Sequence, residues 1–445
     1  MRTRDFAFVV GFLVIWGAGT VWAPGRAQAA GEPDGDGFPS WAERVHHELA
    51  NRARVDPQIE MTACGAACGE AACYTPQTPL YYNPLLGRAA RFHAAHLGHN
   101  GYFAHTSSCT LVSNIASLYP GSCDGEASCS CEGGVNGCNP TCTSASERVG
   151  LFGGGYYGEI IASGGAPNGS FCLWLYESAA DPACQFTMQN GHRWLILTAS
   201  GGVGFGVDGV HVGDFGSPDN DWVHPIASGS HWPRQDATVE IWANWYNPGA
   251  PLEALVNVDG TCHPMTLERG TAANGAYRAD VSGVGSGCHR YYFVFTDGSN
   301  TQVTFPTTGS LGIGPEGTCD DWNTDRPPLA TGCDCAPSCG SSVCGDDGCG
   351  GSCGSCGINE ECQAGQCVTT VGPDAGPGSD SGLAEDANLP SGDGATSNSD
   401  GGGDPPDTAW GGCACRSGSG SMGAPLAWAL FCLLLLGLFR RRQRR

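Results

Sequence analysis

The sequence predicts an α+β chain made of several modules joined end to end. Three observations carry that expectation. Helix-spaced segments alternate with strand-like segments over 38–224, and β-branched and aromatic runs follow over 228–312. Ten cysteines then crowd into the 49 residues 319–367. A length of 445 residues leaves room for about three domains of 100–200 residues. The net charge is −23, with 44 acidic residues against 21 arginines and no lysine. That balance argues against a nucleic-acid partner, because a phosphate backbone needs clustered Arg and Lys. It also disfavours electrostatic adsorption to anionic lipid. Twenty-six cysteines point to an oxidising compartment, since a reducing cytosol would leave many reactive thiols.

The first element is a secretory signal over 1–29. Arg2 and Arg4 precede an apolar run from Phe6 to Trp16, and Ala27-Gln28-Ala29 supplies a cleavage site. A helix is expected from Trp41 to about Arg54, with Trp41, Val45, Leu49 and Ala53 on one face and Pro57 ending it. A second helix starts at Asn83 as N-cap with Pro84 in its first turn. Leu86, Ala89, Ala90, His93 and Leu97 form its buried stripe, and Asn100-Gly101 stops it. Tyr157 to Ala162 reads as a strand, Phe171 to Ser178 as a helix carrying Trp174 and Glu177, and Gly202 to Val207 as a Gly-rich strand. Gly191-His192-Arg193 sits at a turn before an apolar run. Helices interleaved with hairpin-forming strands predict an α/β/α sandwich over a mostly antiparallel sheet.

Residues 228–312 read as a β-sandwich of Ig-like kind, with strands at Thr238–Tyr246 and Tyr291–Thr296 and a bridge between Cys262 and Cys288. Trp242 and Trp245 are expected in its core rather than on a binding surface. Residues 319–367 lack apolar material for a core, so disulfides must hold them. An acidic stalk without basic residues follows over 368–411. The final segment, 412–445, holds an apolar run from Pro425 to Phe439 and then five arginines. Its fifteen helical residues span about 22 Å, and Ser421 to Ala424 extend it to a length that just crosses a bilayer. The terminal arginines would stay cytoplasmic.

The order Ala90-Arg91-Phe92-His93-Ala94, Tyr102 to Ser107, Gly158-Glu159, Trp174 to Glu177, Gly191-His192-Arg193 and the Gly-Val-Gly strand resembles the CAP superfamily of cysteine-rich secretory, antigen 5 and pathogenesis-related 1 proteins. Asn51-Arg52-Ala53-Arg54 looks like its first-helix motif, and the resemblance covers about 170 residues. It implies a CAP-type sandwich over 38–224 with a wide cleft lined by His105, Glu159, Glu177 and His192. Two imidazoles with nearby carboxylates suit zinc or another divalent cation, held weakly and with positions left for water. The same four residues are the candidates for acid–base work on a bound water. The C-terminal segment is similar to the sorting tail of myxobacterial surface proteins. That likeness implies display at the cell surface, with Cys413 or Cys415 processed and the tail in the membrane until then.

Three departures from the family pattern bear on the cleft. Ile160 replaces the usual Asn after the first glutamate, which removes a polar contact. Insertions at Cys64–Cys73 and Cys109–Cys142 add nine cysteines beside the site. Eleven cysteines lie between Cys64 and Cys184, and Cys172 is the expected unpaired, buried one. Two patterns are decoys. His93 is expected to pack under the sheet, while His96 and His99 face solvent. Gly204-x-Gly206-x-x-Gly209 matches a dinucleotide fingerprint without the strand–helix context that fingerprint needs. The expected function is an exported, surface-displayed module whose cleft binds a lipid, glycan or protein ligand. The alternative is a metal-dependent hydrolase or peptidase using the same cleft, and no motif supplies an activated nucleophile for it.

Overall fold

A computed structural model describes residues 38–61, 69–134, 137–138, 141–177, 184–217, 221–329 and parts of 343–369. The signal segment, the stalk, the tail and much of the cysteine-rich module lie outside the described residues. Helices and strands follow in the order α1 (Trp41–Val55), α2 (Pro57–Met61), β1 (Tyr81–Tyr82), α3 (Pro84–Asn100), α4 (Ile115–Leu118), α5 (Ala127–Ser130), α6 (Ala145–Leu151), β2 (Tyr156–Ser163), α7 (Pro167–Leu175), α8 (Gly191–Thr198), β3 (Gly202–Val207) and β4 (Val210–Gly216). Twelve more strands carry the remainder of the described residues: β5 (Ile226–Trp232), β6 (Thr238–Tyr246), β7 (Glu253–Val258), β8 (Thr261–Pro264), β9 (Thr266–Thr271), β10 (Asn274–Ser282), β11 (His289–Thr296), β12 (Gln302–Phe305), β13 (Ser310–Ile313) and β14 (Trp322–Asn323), then β15 (Glu360–Gln363) and β16 (Gln366–Thr369). Among the described residues no helix is long and apolar enough to cross a membrane.

The first sheet runs β1-β3-β4-β2, parallel only between β1 and β3. Helices cover both of its faces. One core joins α1, α7 and α8 to Ile160, Val203, Phe205 and Phe215, and another joins Ala90, Ala94 and Leu97 of α3 to Ile161 and Val212. The helix ends follow their local chemistry. Asn83 Oδ1 accepts from the N–H groups of Leu85 and Leu86, and Gly101 closes α3 in the left-handed region at φ 65°.

The glycines of β3 serve packing. A Cβ on Gly204 would collide with the backbone of Gly87, and one on Gly206 with that of Arg91, so α3 lies directly on the strand. Gly209 makes the β3–β4 turn at φ 64°. The dinucleotide-like spacing is thus explained by a helix seat and a turn. Gly204→Ala is expected to destabilise the fold by about 1–3 kcal/mol through overpacking, read as a lowered denaturation midpoint. An unchanged midpoint would mean that α3 can withdraw freely.

The remaining strands form two sheets, β5-β6-β10-β9 and β14-β13-β11-β7-β8, with β12 on β11. They bury a common core that includes Trp245, Tyr277, Phe293 and Phe295, so the tryptophan is a core residue as the sequence suggested. The sheets extend from Ile226 to Asn323, past both expected limits. Trp242 is also buried, but in the core around α1.

That placement reflects how α1 is used. Every residue of α1 except Ala42 is buried, because the helix lies between the first sheet and β5-β6-β10. A single apolar stripe could not predict this. The polar residues are tolerated because they find partners. Asn51 holds Leu80 through its N–H and carbonyl and donates to Ser228 Oγ at 2.9 Å. The Trp41 indole N–H donates to His231 O at 2.9 Å, and Arg52 pairs with Glu60 at 2.7 Å while lying over the Trp242 ring.

Two cysteine expectations fail. Cys288 bonds Cys319, not Cys262. Cys262 lies on β8, which β7 separates from β11, whereas the chain after β13 returns to the start of β11 and brings Cys319 beside Cys288. Cys262 is itself disulfide-bonded, and so is Cys172, the expected free thiol. Phe171, Trp174 and Leu175 take the buried face of α7, leaving Cys172 half-buried and within reach of a partner.

Candidate functional site

β2 is an outer strand of the first sheet, and a cavity of about 490 Å³ opens along it. His105, Glu159 and His192 line this cavity with Tyr157, Phe186 and Leu195. Its mouth is apolar: Tyr157, Phe186 and Met188 are all more than half exposed. A pocket with apolar walls and a few converging polar groups is the usual form of a ligand site.

The four predicted residues meet there as two pairs. His105 follows α3 in a loop, and its Nδ1 lies 2.9 Å from Glu159 Oε1. His192 Nδ1 lies 2.8 Å from Glu177 Oε1. The two imidazole centroids are 6.5 Å apart. Each ring therefore has Nδ1 against a carboxylate and keeps Nε2 for something else. This is the carboxylate–histidine arrangement that orients metal ligands, with the carboxylates one layer behind. The four groups do not converge on a point. Among the described residues, sets of three ligand atoms within 4.8 Å of one another are His96–Cys109–Cys131, Cys344–Cys356–Cys367 and His99–Asp124–Glu126. For the facing histidines to share one zinc at Zn–N distances of about 2.0–2.1 Å, the rings must approach by roughly an ångström.

Local structure explains each position. α8 begins at Gly191, so His192 sits in its first turn rather than in a free turn before an apolar run. α7 ends at Leu175, which leaves Glu177 outside the helix. From there Glu177 Oε2 accepts from the N–H of Arg193 at 3.1 Å, a carboxylate at the positive end of α8. Ile160 points away from the site into the core with Phe205 and Phe215, so its apolar side chain is accounted for by packing.

Several residues that hold the site escaped prediction. Arg148, wholly buried on α6, donates to His105 O and Ser107 Oγ at 3.1 Å each and pairs with Glu159 Oε2. The available signal was the capping box Ser144-x-x-Glu147, which starts α6 and so aims Arg148. Burial alone would raise the Glu159 carboxyl, but the Arg148 charge and the His105 hydrogen bond outweigh it and hold it at about 2. Asp214 faces Glu159 across the β2–β4 ladder and is fully buried, with neither oxygen in a hydrogen bond of good geometry. Burial and the neighbouring carboxylate push Asp214 well above the usual carboxylate range.

The far wall is anchored by the first insertion. Glu70 accepts from Arg193 Nε at 2.9 Å, Asn190 Nδ2 at 2.9 Å and Tyr74 Oη at 2.7 Å. Arg193 also donates to the carbonyls of Leu175 and Glu177, and Cys73 bonds Cys184 just before Phe186. The histidine row separates otherwise than expected. His93 is buried, its Nε2 donating to Ala104 O at 3.0 Å. His96 is buried too, because the Cys109–Cys131 segment folds over that side of α3, and only His99 is partly exposed.

No family model matches the chain, and no curated protein matches it.

Proposed function

We propose that this is an exported, surface-displayed protein with a CAP-type domain over 38–224, whose His105/His192 cleft binds an extracellular ligand together with a labile divalent cation. The observation that carries the reading is the pair of imidazoles facing each other at 6.5 Å, each with a carboxylate on Nδ1. His105 and His192 would hold the ion, while Glu159 and Glu177 orient the rings, a revision of their expected role as direct ligands. Wide ring spacing favours weak binding, and the apolar mouth favours a ligand with an apolar portion. The ligand class beyond that, lipid, glycan or protein, rests on the family resemblance. Such a cation, when bound, would polarise a carbonyl or acidify a water, which is the basis of the alternative hydrolase reading. Binding leads because, among the described residues that line the cleft, no serine or cysteine is paired with a base.

The test is zinc titration of the full chain by calorimetry. His105→Ala and His192→Ala are each expected to weaken binding at least tenfold, the order found when a metal site loses one supporting interaction. Affinity unchanged in the double variant would remove the cleft from consideration as a cation site. Capture of ligand by wild type but not by the double variant would support the binding reading. Turnover lost in the same variant would favour the hydrolase.

A further inference from the structure

We propose that His96, Cys109 and Cys131 form a second, redox-gated site for a thiophilic divalent cation of the zinc class. The site is separate from the His105/His192 cleft and is closed while the two cysteines are joined. His96 comes from α3, Cys109 from the segment after it and Cys131 from the residue that ends α5. All three are buried, and their ligand atoms lie within 4.8 Å of one another.

The behaviour of His96 carries the argument. Its side chain is fully buried. Tyr102 Oη occupies Nδ1 at 2.8 Å. The other nitrogen, Nε2, meets only sulfur, at 3.8 Å from both Cys109 Sγ and Cys131 Sγ. Disulfide sulfur is a weak partner, and leaving a buried polar atom under-satisfied is costly. A purely structural bridge would be served better by an apolar neighbour. An imidazole nitrogen equidistant from two sulfurs instead matches the donors of a Cys₂His zinc site with one position left for water. The Tyr102 hydroxyl then takes the place of the outer group that fixes a ligating ring.

The exchange balances with a dithiol as reductant. Two electrons from the dithiol break the Cys109–Cys131 bond, and the dithiol becomes its own disulfide. Its two protons go to solvent, and the two protein thiolates bond to the cation and cancel its charge. The two cross-links thereby substitute for each other: sulfur to sulfur when oxidised, sulfur to metal when reduced.

The experiment uses the full chain, reduced under native conditions by a dithiol, with zinc and cobalt(II) as the probes. Zinc is expected to slow alkylation of Cys109 and Cys131 at least tenfold, read residue by residue by peptide mass spectrometry and requiring no substitution. Equal alkylation rates with and without zinc would overturn the proposal. Cobalt(II) is expected to give thiolate charge-transfer absorption that the oxidised protein lacks. That absorption should weaken in His96→Gln and, by roughly 10–100-fold in affinity, in Tyr102→Phe. A band that persists unchanged in the Cys109→Ser/Cys131→Ser variant would assign it to other cysteines and sink the idea. His96→Gln with undiminished cobalt affinity would do the same.

Discussion

Replacing Arg148 with Met is expected to destabilise the first domain by about 3–5 kcal/mol, the usual cost of stripping one partner from a buried ion pair. Arg148 and Glu159 are both inaccessible to solvent. Without the guanidinium, Glu159 keeps its charge in a dry setting beside Asp214, or takes up a proton and releases His105. The midpoint of thermal unfolding should fall by roughly 6–20 °C. The loss should be larger at pH 7.5 than at pH 5, because Glu159 in the variant becomes neutral as the pH falls. Adding Glu159→Gln should recover much of it, since the orphaned charge is then gone. Arg148→Lys should recover only part, because one ammonium cannot reach His105 O, Ser107 Oγ and Glu159 together as the planar fork does. A Met variant as stable as wild type, with the Gln variant equally neutral, would show that this network contributes nothing.

Acid sensitivity is the second large effect. His47, His96 and His224 are held at about 4, and His93 and His231 at about 3, in each case chiefly by burial. His46 and His211, 2.7 Å apart, are lowered as well, again by burial first. A histidine whose folded value lies below its unfolded 6.5 binds fewer protons in the native state. Its contribution is fully present above pH 6.5 and is lost as the pH falls toward the folded value. Each such group removes about 1.4 kcal/mol per pH unit across that window. Several acting together approach the whole stability of a typical domain, about 5–15 kcal/mol.

Buried carboxyls act in the opposite sense. Glu48, raised to about 7 chiefly by burial, and Asp214, also raised, favour the folded state more as the pH falls. Two groups cannot offset seven. Glu159, held at about 2, protects down to about pH 4.5 and its contribution is lost only below that. Stability from denaturant titration should therefore drop steeply between pH 6.5 and 5. A flat profile over that range would mean that these histidines reach water.

How much of this was legible depends on the range of the interactions involved. Asn83-Pro84 and Asn100-Gly101 bound α3 within a few residues of where they act, and the expected stripe between them is buried, although Phe92, Ala94, Ala95 and His96 are buried too. His105, Glu159, Glu177 and His192 were found through resemblance in their order along the chain, and they line one cavity or flank it. Their pairing, and the carboxylates' place behind the imidazoles, depended on β2 lying between the loop after α3 and the start of α8. Glu70, in the first insertion, and Arg148, on α6, were passed over because a lone charged residue ordinarily faces solvent.

Cysteine pairing shows the limit most plainly. Proximity in sequence suggested Cys262–Cys288, but strand order placed β7 between them and set Cys319 beside Cys288. The full burial of α1 was hidden for the same reason, since its second covering layer comes from strands about 180–240 residues further along. Caps, turns and spacing are decided by neighbours in the chain, so the amino-acid order alone determined where α1 and α3 begin and end. Which groups share a dry interior, which charges meet and which sulfurs join depend on contacts between distant segments, and those only the tertiary structure decided.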